Sequence, residues 1–196
     1  LPWKRMGKLE TSAKFERRRG YLQKAILASI GVAGILLVAM AAPNALQLLG
    51  KFGTGKRRFG DETRSALSRL ARRGLITFEE RGGKRYARIT GSGRRALALE
   101  EQKAAVKAKR GGRWDKHYRM VIFDIPERRR GTRASLRNTM RESGFLCIQG
   151  SVWIYPYDCE DLIALLKADL HIGKDVLYTI VEKIENDLWI KKHFGL

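Results

Sequence analysis

The sequence has few of the residues that build disulfide frameworks and zinc sites. It contains two cysteines, Cys147 and Cys159, and three histidines, His117, His171 and His193. Two cysteines make no disulfide framework, and the widely separated histidines do not complete a tetrahedral zinc site. The sequence therefore predicts a protein of the reducing cytoplasm, in which both cysteines are packing residues.

Acidic residues are scarce in the first part of the chain. Residues 1–113 contain 27 Lys and Arg against 8 Asp and Glu, whereas residues 114–196 contain 13 against 12. A positive balance confined to one region is typical of proteins that bind a polyanion, either nucleic acid or an anionic membrane. The nearly neutral second region favours a scaffold or a dimerisation module.

Length and charge together predict three segments. A chain of 196 residues can hold one mid-sized domain or two small domains with separate cores. Residues 1–20 are predicted to be a basic arm, which is either solvated or follows phosphate groups. Residues 21–110 and 114–196 are predicted to be two domains, because the segment between them has the composition of a linker.

The segment Ala25–Gly50 contains no charged residue. Its length meets the requirement for a transmembrane helix, and basic residues precede it. However, Gly31, Gly34 and Pro43 interrupt the segment, and Ala41–Asn44 is typical of a helix end followed by a new helix. We interpret the segment as the core of a soluble domain and keep a membrane span as the alternative.

The segment Glu62–Arg73 has the pattern of an amphipathic helix. Asp61 is predicted to be its N-cap and Gly74 its C-terminal stop. The predicted inward stripe consists of Ala66, Leu67, Leu70 and Ala71. The opposite, polar and basic face consists of Arg64, Ser65, Ser68, Arg69 and Arg72. This helix resembles the recognition helix of a winged helix-turn-helix, and the basic turn before it contains Arg57 and Arg58.

A hairpin is predicted directly after this helix. Gly82-Gly83 separates two strand-like segments, 77–81 and 84–89, and two glycines supply the positive φ angles of a tight turn. The residues that project from the predicted tip are Arg81, Lys84 and Arg85. Thr90 is predicted to cap the next helix, which closes the first domain. A basic helix followed by a basic hairpin favours a winged-helix domain that binds DNA over an ordinary solvated hairpin.

The second domain begins with Tyr118–Pro126, in which β-branched, aromatic and Met residues run together without a turn signal. This stretch predicts a strand buried on both faces that ends at Pro126, with Asp124 at its carboxyl end. Further helices are predicted at 133–143, 160–170 (capped by Asp158) and 186–194, and further strands at 145–148, 151–155 and 176–181. The order βαββαβ is that of a ferredoxin-like sheet, so the predicted fold class is α+β.

Three short motifs in this domain resemble a known family. They are Val121–Glu127, Gly144-Phe145 and Gln149–Trp153. In this order they resemble the middle domain of PaaX-type transcriptional repressors, which is itself similar to the small CRISPR-associated adaptation subunit. The resemblance implies a ferredoxin-like sheet that dimerises. Repressors of this kind respond to an acyl-CoA ligand and carry a further C-terminal helical domain, and the effector of this chain stays open.

The leading interpretation is therefore a DNA-binding transcriptional regulator that needs no cofactor. Its winged helix would bind double-stranded DNA, with the helix in the major groove and the hairpin on the adjacent backbone. A homodimer is predicted, and its target is then a palindrome. The strand Val176–Val181 and the helix that carries Leu188 and Trp189 are the predicted contact, because a sheet edge leaves backbone groups unpaired.

Two alternatives stay open. In the first, the protein is a metal-dependent nuclease or a CRISPR adaptation subunit, as the resemblance allows, and Asp124 holds Mg²⁺ or Mn²⁺ across the dimer axis. Asp124 has only Glu127 near it in sequence, and it could instead accept hydrogen bonds from the turn Arg128–Arg130. In the second, the protein is a membrane-anchored DNA-binding protein with residues 25–50 as its span.

Overall fold

The computed structural model describes residues 8–33, 35–37 and 56–196, and the side chains of residues 20–32 and 61–196. The chain divides into two compact units, Leu1–Leu97 and Ala98–Leu196. This boundary lies inside a helix, whereas the composition of the sequence predicts a linker between residues 110 and 114.

The first unit combines helices with a three-stranded antiparallel sheet. Its elements are α1 (Lys8–Ala33), β1 (Ile35–Leu37), α2 (Lys56–Arg72), β2 (Ile76–Arg81), β3 (Lys84–Ile89) and the start of α3 (Gly91–Ala108). The strand order is β1-β3-β2, so the hairpin strand β3 lies between the other two. Leu22, Ile26 and Ile30 of α1 share a buried core with Leu67 and Leu70 of α2.

The uncharged segment of the sequence contributes to this core. Ile26, Leu27 and Ile30 are buried at the end of α1, as the core interpretation predicts. Ile35–Leu37 then pair with β3 as a short strand. Among the residues that the structure describes, no helix is both long enough and apolar enough to cross a bilayer. The predicted helix boundary at Pro43-Asn44 lies outside the described residues.

Helix α2 begins earlier than the sequence predicts. Because it starts at Lys56, Asp61 lies inside the helix rather than at its N-cap, and that prediction is wrong. The exposed Asp61 carboxylate instead lies 3.7 Å from the Arg64 guanidinium, one turn further along. The predicted inward stripe is correct, since Ala66, Leu67 and Leu70 are all buried.

The end of α2 is as predicted. Gly74 has a φ of +68°, a conformation that favours glycine. The Gly74 N–H donates to the Ala71 carbonyl at 2.9 Å, and the Leu75 N–H donates to the Leu70 carbonyl at 3.0 Å. This pair of bonds is the Schellman motif, and Leu70 and Leu75 share the buried core beside it.

The second unit contains a four-stranded antiparallel sheet and the helices that pack with it. After the end of α3, its elements are β4 (Tyr118–Phe123), α4 (Arg130–Ser143), β5 (Leu146–Gln149), β6 (Val152–Tyr155), α5 (Glu160–Asp169), β7 (Val176–Val181) and α6 (Leu188–Phe194). The strand order β5-β6-β4-β7 places β4 inside the sheet and β7 at an edge. The predicted βαββαβ order and the α+β class are present.

The end of α3 belongs to the second unit. Val106 is buried in the core of that unit, and the Tyr155 hydroxyl donates to the Val106 carbonyl at 2.9 Å. The buried Lys103 ammonium donates to Glu100 at 2.8 Å and to Glu142 of α4 at 2.5 Å. Burial alone would lower the pKa of Lys103, but these two carboxylates raise it above its ordinary value. Lys103 is therefore a charged link between α3 and α4.

Two smaller predictions for the second unit need correction. Cys159 rather than Asp158 occupies the N-cap position of α5, although the Asp158 carboxylate still accepts the Glu160 N–H at 3.2 Å. Cys159 is buried, as predicted, and burial raises the pKa of its thiol to about 12. Cys147 is exposed rather than packed, because half-buried and exposed side chains alternate along β5 and Cys147 occupies an exposed position.

Candidate functional site

The hairpin of the first unit has a tight two-residue turn. Gly82 and Gly83 have φ angles of +56° and +69°, and Arg81 pairs with Lys84 at the last rung of the ladder. Two consecutive positive φ angles are characteristic of a type I′ turn, which matches the twist of a two-stranded ribbon. The predicted hairpin is therefore confirmed, including both strands and the turn.

The three predicted tip residues have different surroundings. Arg81 donates to the Glu79 carboxylate at 3.1 Å, and the same carboxylate lies 2.9 Å from Arg88. The Arg85 guanidinium lies 4.0 Å from the centre of the Phe78 ring. Stacking occupies the face of a guanidinium, whereas its N–H donors point outwards from the edge. Arg85 is thus held in place with donors that suit a phosphate, and Lys84 is exposed beside it.

Helix α2 presents one polar and basic face. Arg64, Ser65, Ser68 and Arg72 are exposed, whereas Arg69 is partly buried. The Arg69 Nε is buried and has no hydrogen-bond partner among the described residues. Arg57 and Arg58 also lie in α2, but their side chains are outside the described set. The helix therefore brings four of the five predicted face residues to its surface.

Sequence reasoning missed Arg73, which is exposed beside Arg72 at the end of α2. Its guanidinium lies 3.5 Å from the Gln23 side-chain oxygen of α1. Its position directly before Gly74, the C-terminal stop of the helix, could have identified it from the sequence as a further basic residue at the helix end.

A single threonine connects α2, the hairpin and α3. The Thr90 hydroxyl donates to the Gly74 carbonyl at 2.7 Å and accepts the Gly93 N–H at 3.0 Å. The second bond makes Thr90 the N-cap of α3, as predicted. The Thr90 N–H also donates to the Leu75 carbonyl at 3.0 Å. These bonds fix the end of β3 beside the end of α2, so the basic helix and the hairpin are held in one arrangement.

Asp124, the alternative metal ligand, is exposed directly after β4. Its N–H donates to the Asp175 carbonyl at 2.9 Å. The basic turn that follows does not bond to it within the described residues, so that interpretation of Asp124 is wrong. Arg129 instead donates to the Asp175 carboxylate at 2.9 Å and to the Leu170 carbonyl at 2.7 Å.

Within one protomer, the carboxylates near Asp124 are paired with arginines. Glu127 is paired with Arg133, and Asp175 is paired with Arg129. Within the described part of the chain, no group of three His, Cys, Asp or Glu side chains could hold a metal ion. A hard cation such as Mg²⁺ prefers several oxygen ligands, and here the neighbouring carboxylates are bound to guanidinium groups.

The predicted dimer contact is an exposed apolar surface. Leu177 and Ile180 of the edge strand β7 are 56% and 60% exposed, and Leu188 and Trp189 of α6 are 79% and 51% exposed. We call these four residues the β7–α6 surface. Leu177 and Ile180 are three residues apart in β7, so they lie on opposite faces of the sheet, and the name covers exposed apolar side chains on both sides of this edge. Large apolar side chains that are exposed in this way are typical of interaction sites.

Comparison with known families gives one result for the second unit. Residues 111–188 match the family described as "PaaX protein central Cas2-like domain". A comparison with curated proteins found no significant match. The matched segment covers the four-stranded sheet, with α4 and α5, whose βαββαβ order is described above. On this match the chain is a PaaX-like protein with a Cas2-like domain.

Proposed function

We propose that this PaaX-like protein is a transcriptional regulator that binds double-stranded DNA through its first unit. The observation that carries the proposal is the pairing of a basic helix face with a basic hairpin inside a unit of high positive charge. Residues 1–97, which form this unit, contain 22 Lys and Arg against 6 Asp and Glu. Such a field attracts the phosphate backbone of a duplex and makes its binding depend on salt.

The topology of the first unit supports a winged helix. Its sheet has the order β1-β3-β2, α2 leads directly into the hairpin, and the hairpin turn projects Lys84 and Arg85. A helix that precedes a hairpin in this way can enter the major groove while the hairpin reaches the adjacent backbone. The hydrogen bond of Thr90 to the Gly74 carbonyl holds the end of the hairpin beside the end of α2.

The two basic elements would have different roles. The exposed side chains of α2, among them Arg64, Ser68 and Arg72, would contact base edges in the major groove. The hairpin residues would contact phosphates, which position the protein but carry no sequence information. Substitution of Arg72 should therefore relax sequence preference, whereas substitution of Lys84 and Arg85 should weaken binding to all sequences about equally.

A homodimer through the β7–α6 surface completes the proposal. Pairing across a two-fold axis would cover both the exposed apolar side chains and the free edge of β7. In full-length protein, Trp189→Asp should therefore shift the species seen by light scattering from dimer to monomer. The matched control is Val32→Asp, which places the same charge at an exposed apolar position of the first unit. A wild-type protein that is monomeric at tens of micromolar would contradict the proposed dimer.

Selection from a library of randomised duplexes tests the proposed function. The full-length protein should enrich one sequence, and its half-sites should be related by a two-fold axis, because a symmetric dimer reads a palindrome. Enrichment of a single half-site would support a regulator that recognises a DNA sequence, but it would contradict the proposed dimer. No enrichment, with binding that ignores sequence, would contradict a regulator that recognises an operator.

A further inference from the structure

Helix α4 of the second unit carries a row of arginines on one side. Arg130, Arg133, Arg137 and Arg141 are spaced by three or four residues, which places them on neighbouring turns of one helix face. We call these four residues the α4 arginine row. Together with Gly131, Ala134 and Asn138 they line a surface groove of about 440 Å³. Among the residues that the structure describes, no acidic side chain lines this groove.

The summed charge of the second region is close to zero and therefore gives no sign of this row. Residues 114–196 contain 13 basic and 12 acidic residues, but residues 128–143 alone contain six arginines and one acidic residue, Glu142. The rest of the region is therefore acidic on balance. Charge in the second unit is thus separated in sequence, and its positive part is concentrated on and just before α4.

The row consists only of arginine, and two of its members are held by packing. The Arg137 guanidinium lies 5.7 Å from the Phe123 ring centre and donates to the Gly150 carbonyl at 3.2 Å. The Arg141 guanidinium lies 6.0 Å from the Trp153 ring centre and donates to Asn138 at 3.0 Å. A guanidinium held over an aromatic ring loses less side-chain freedom when its remaining donors bind an anion.

Little of this charge is neutralised within the domain. Arg133 is paired with Glu127, whereas the bonds of Arg137 and Arg141 go to a backbone carbonyl and to a neutral amide. Neither acceptor carries a negative charge. The row therefore keeps most of its positive charge available for a partner outside this unit.

The length of the row indicates the kind of anion it fits. From Arg130 to Arg141 the helix rises about 17 Å, at about 1.5 Å per residue. Phosphates of one strand of B-DNA advance about 3.4 Å per nucleotide along the duplex axis, so the row spans roughly five phosphates. An isolated phosphate group would engage only one or two guanidinium groups. The row is therefore matched to an extended polyanion.

We propose that the α4 arginine row binds the phosphate backbone of double-stranded DNA. The Cas2-like domain would then contribute directly to DNA binding, in addition to any role in dimerisation. Arginine presents paired N–H donors that suit phosphate oxygens, and contacts of this kind position a duplex without reading its sequence. This proposal does not depend on a winged helix in the first unit.

The test compares three full-length proteins in their binding to one random-sequence duplex. The first is wild type, and the second carries Arg130→Gln and Arg141→Gln at the two ends of the row. The third is the control, with Lys174→Gln and Lys183→Gln, which removes the same charge from exposed positions of the second unit outside the row. Thermal melting of each protein verifies that it is folded. A fourth protein, with Arg130→Lys and Arg141→Lys, keeps the charge but not the paired donors.

The row variant should bind on the order of tenfold more weakly at about 0.1 M salt, with the control close to wild type. Its plot of log affinity against log salt should be shallower by about 2, because two phosphate contacts are lost. The lysine variant should recover most of the salt dependence and part of the affinity.

Two outcomes would overturn the proposal. One is equal affinity and equal salt dependence of the row variant and the control. The other is unchanged duplex binding with lost binding to phosphatidylserine vesicles, which would assign the row to a lipid surface. The hairpin variant Lys84→Ala with Arg85→Ala, measured in parallel, separates this proposal from the proposed function. If only the hairpin variant binds the duplex more weakly, the proposed contact of the α4 arginine row is contradicted. If only the row variant binds more weakly, the proposed winged helix is contradicted.

Discussion

The Thr90 hydroxyl donates a hydrogen bond of 2.7 Å to the carbonyl of Gly74, which lies two residues beyond the end of α2. The same hydroxyl accepts the Gly93 N–H and so caps α3. One side chain therefore joins the end of the basic helix to the strand that leaves the hairpin. The relative position of these two elements, on which DNA recognition would depend, rests on this threonine.

Replacement of Thr90 tests this role. Thr90→Ala should lower the free energy of unfolding by about 1–2 kcal/mol, since it removes an N-cap and a further hydrogen bond. Thr90→Ser keeps the hydroxyl and should stay near wild type. Chemical denaturation of the three proteins measures the difference. Equal losses for Ala and Ser would show that the methyl group, rather than the hydroxyl, stabilises the unit.

Two glycines in the first turn of α3 should respond differently to the same substitution. A Cβ on Gly93 would lie 2.0 Å from the Leu75 carbonyl oxygen, whereas the nearest atom to a Cβ on Gly91 is 3.8 Å away. Gly93→Ala should therefore destabilise the protein by about 1–3 kcal/mol or more, because the backbone must move. Gly91→Ala should be neutral or stabilising by up to about 1 kcal/mol. Similar melting temperatures for both variants would contradict this close approach.

Asp175 and Asp124 should differ in their effect on stability. The Asp175 carboxylate is largely buried and pairs with Arg129, whereas the Asp124 carboxylate is exposed. Asp175→Asn should cost about 1–3 kcal/mol, because it weakens a charge-assisted bond. Asp124→Asn should be close to neutral. Urea denaturation of both variants compares them directly.

The same Asp124→Asn protein examines the nuclease alternative. Wild type should leave supercoiled and linear duplex uncut in the presence of Mg²⁺ or Mn²⁺, since the neighbouring carboxylates are bound to arginines. Nicking by wild type that Asp124→Asn abolishes would instead assign Asp124 a role in metal-dependent cleavage.

The pair Asp115–Arg119 predicts a specific response to acid. The buried Arg119 guanidinium donates to both Asp115 oxygens, at 2.7 and 2.5 Å, and lowers the pKa of that carboxyl to about 2. A folded-state pKa below the unfolded value stabilises the protein above the unfolded pKa of about 3.9. This contribution is lost as pH falls towards 2.

Asp115→Asn should therefore be less stable than wild type at pH 7, and the difference should narrow between about pH 4 and pH 2. Screening by solvent reduces this difference in stability, because the Asp115 side chain is half exposed. Denaturation at several pH values measures it, with the exposed Asp161→Asn as the control. A difference that stays constant down to pH 2 would mean that Asp115 does not titrate in this way.

Local signals in the sequence predicted much of the fold. The hairpin has the predicted strands because Gly82-Gly83 readily adopts the two positive φ angles of a tight turn between two strand-like segments. The strand Val176–Val181 has the predicted bounds because mostly β-branched and aromatic residues follow one another there. The predicted start of α2 was wrong, because the sequence prediction assigned Lys51–Arg58 to a basic turn, whereas the helix begins at Lys56.

Features that depend on tertiary packing were harder to predict. The sequence of α3 predicts a helix, but it does not show that Val106 packs in a different unit from Leu97. Summed charge hid the α4 arginine row, because acidic residues elsewhere in the second region balance it. Leu188 and Trp189, which are exposed, were predicted as part of a contact because the resemblance implied a dimer and because the edge of an open sheet leaves backbone groups unpaired.

The most direct test of DNA binding by the first unit is a salt titration of duplex affinity. The proteins are wild type and a full-length variant with Lys84→Ala and Arg85→Ala at the hairpin tip. Wild type should lose affinity steeply as salt rises, and the variant should bind more weakly with a slope shallower by about 2, since two phosphate contacts are removed. A wild-type affinity that does not change with salt, or a variant that matches wild type at every salt concentration, would contradict the account.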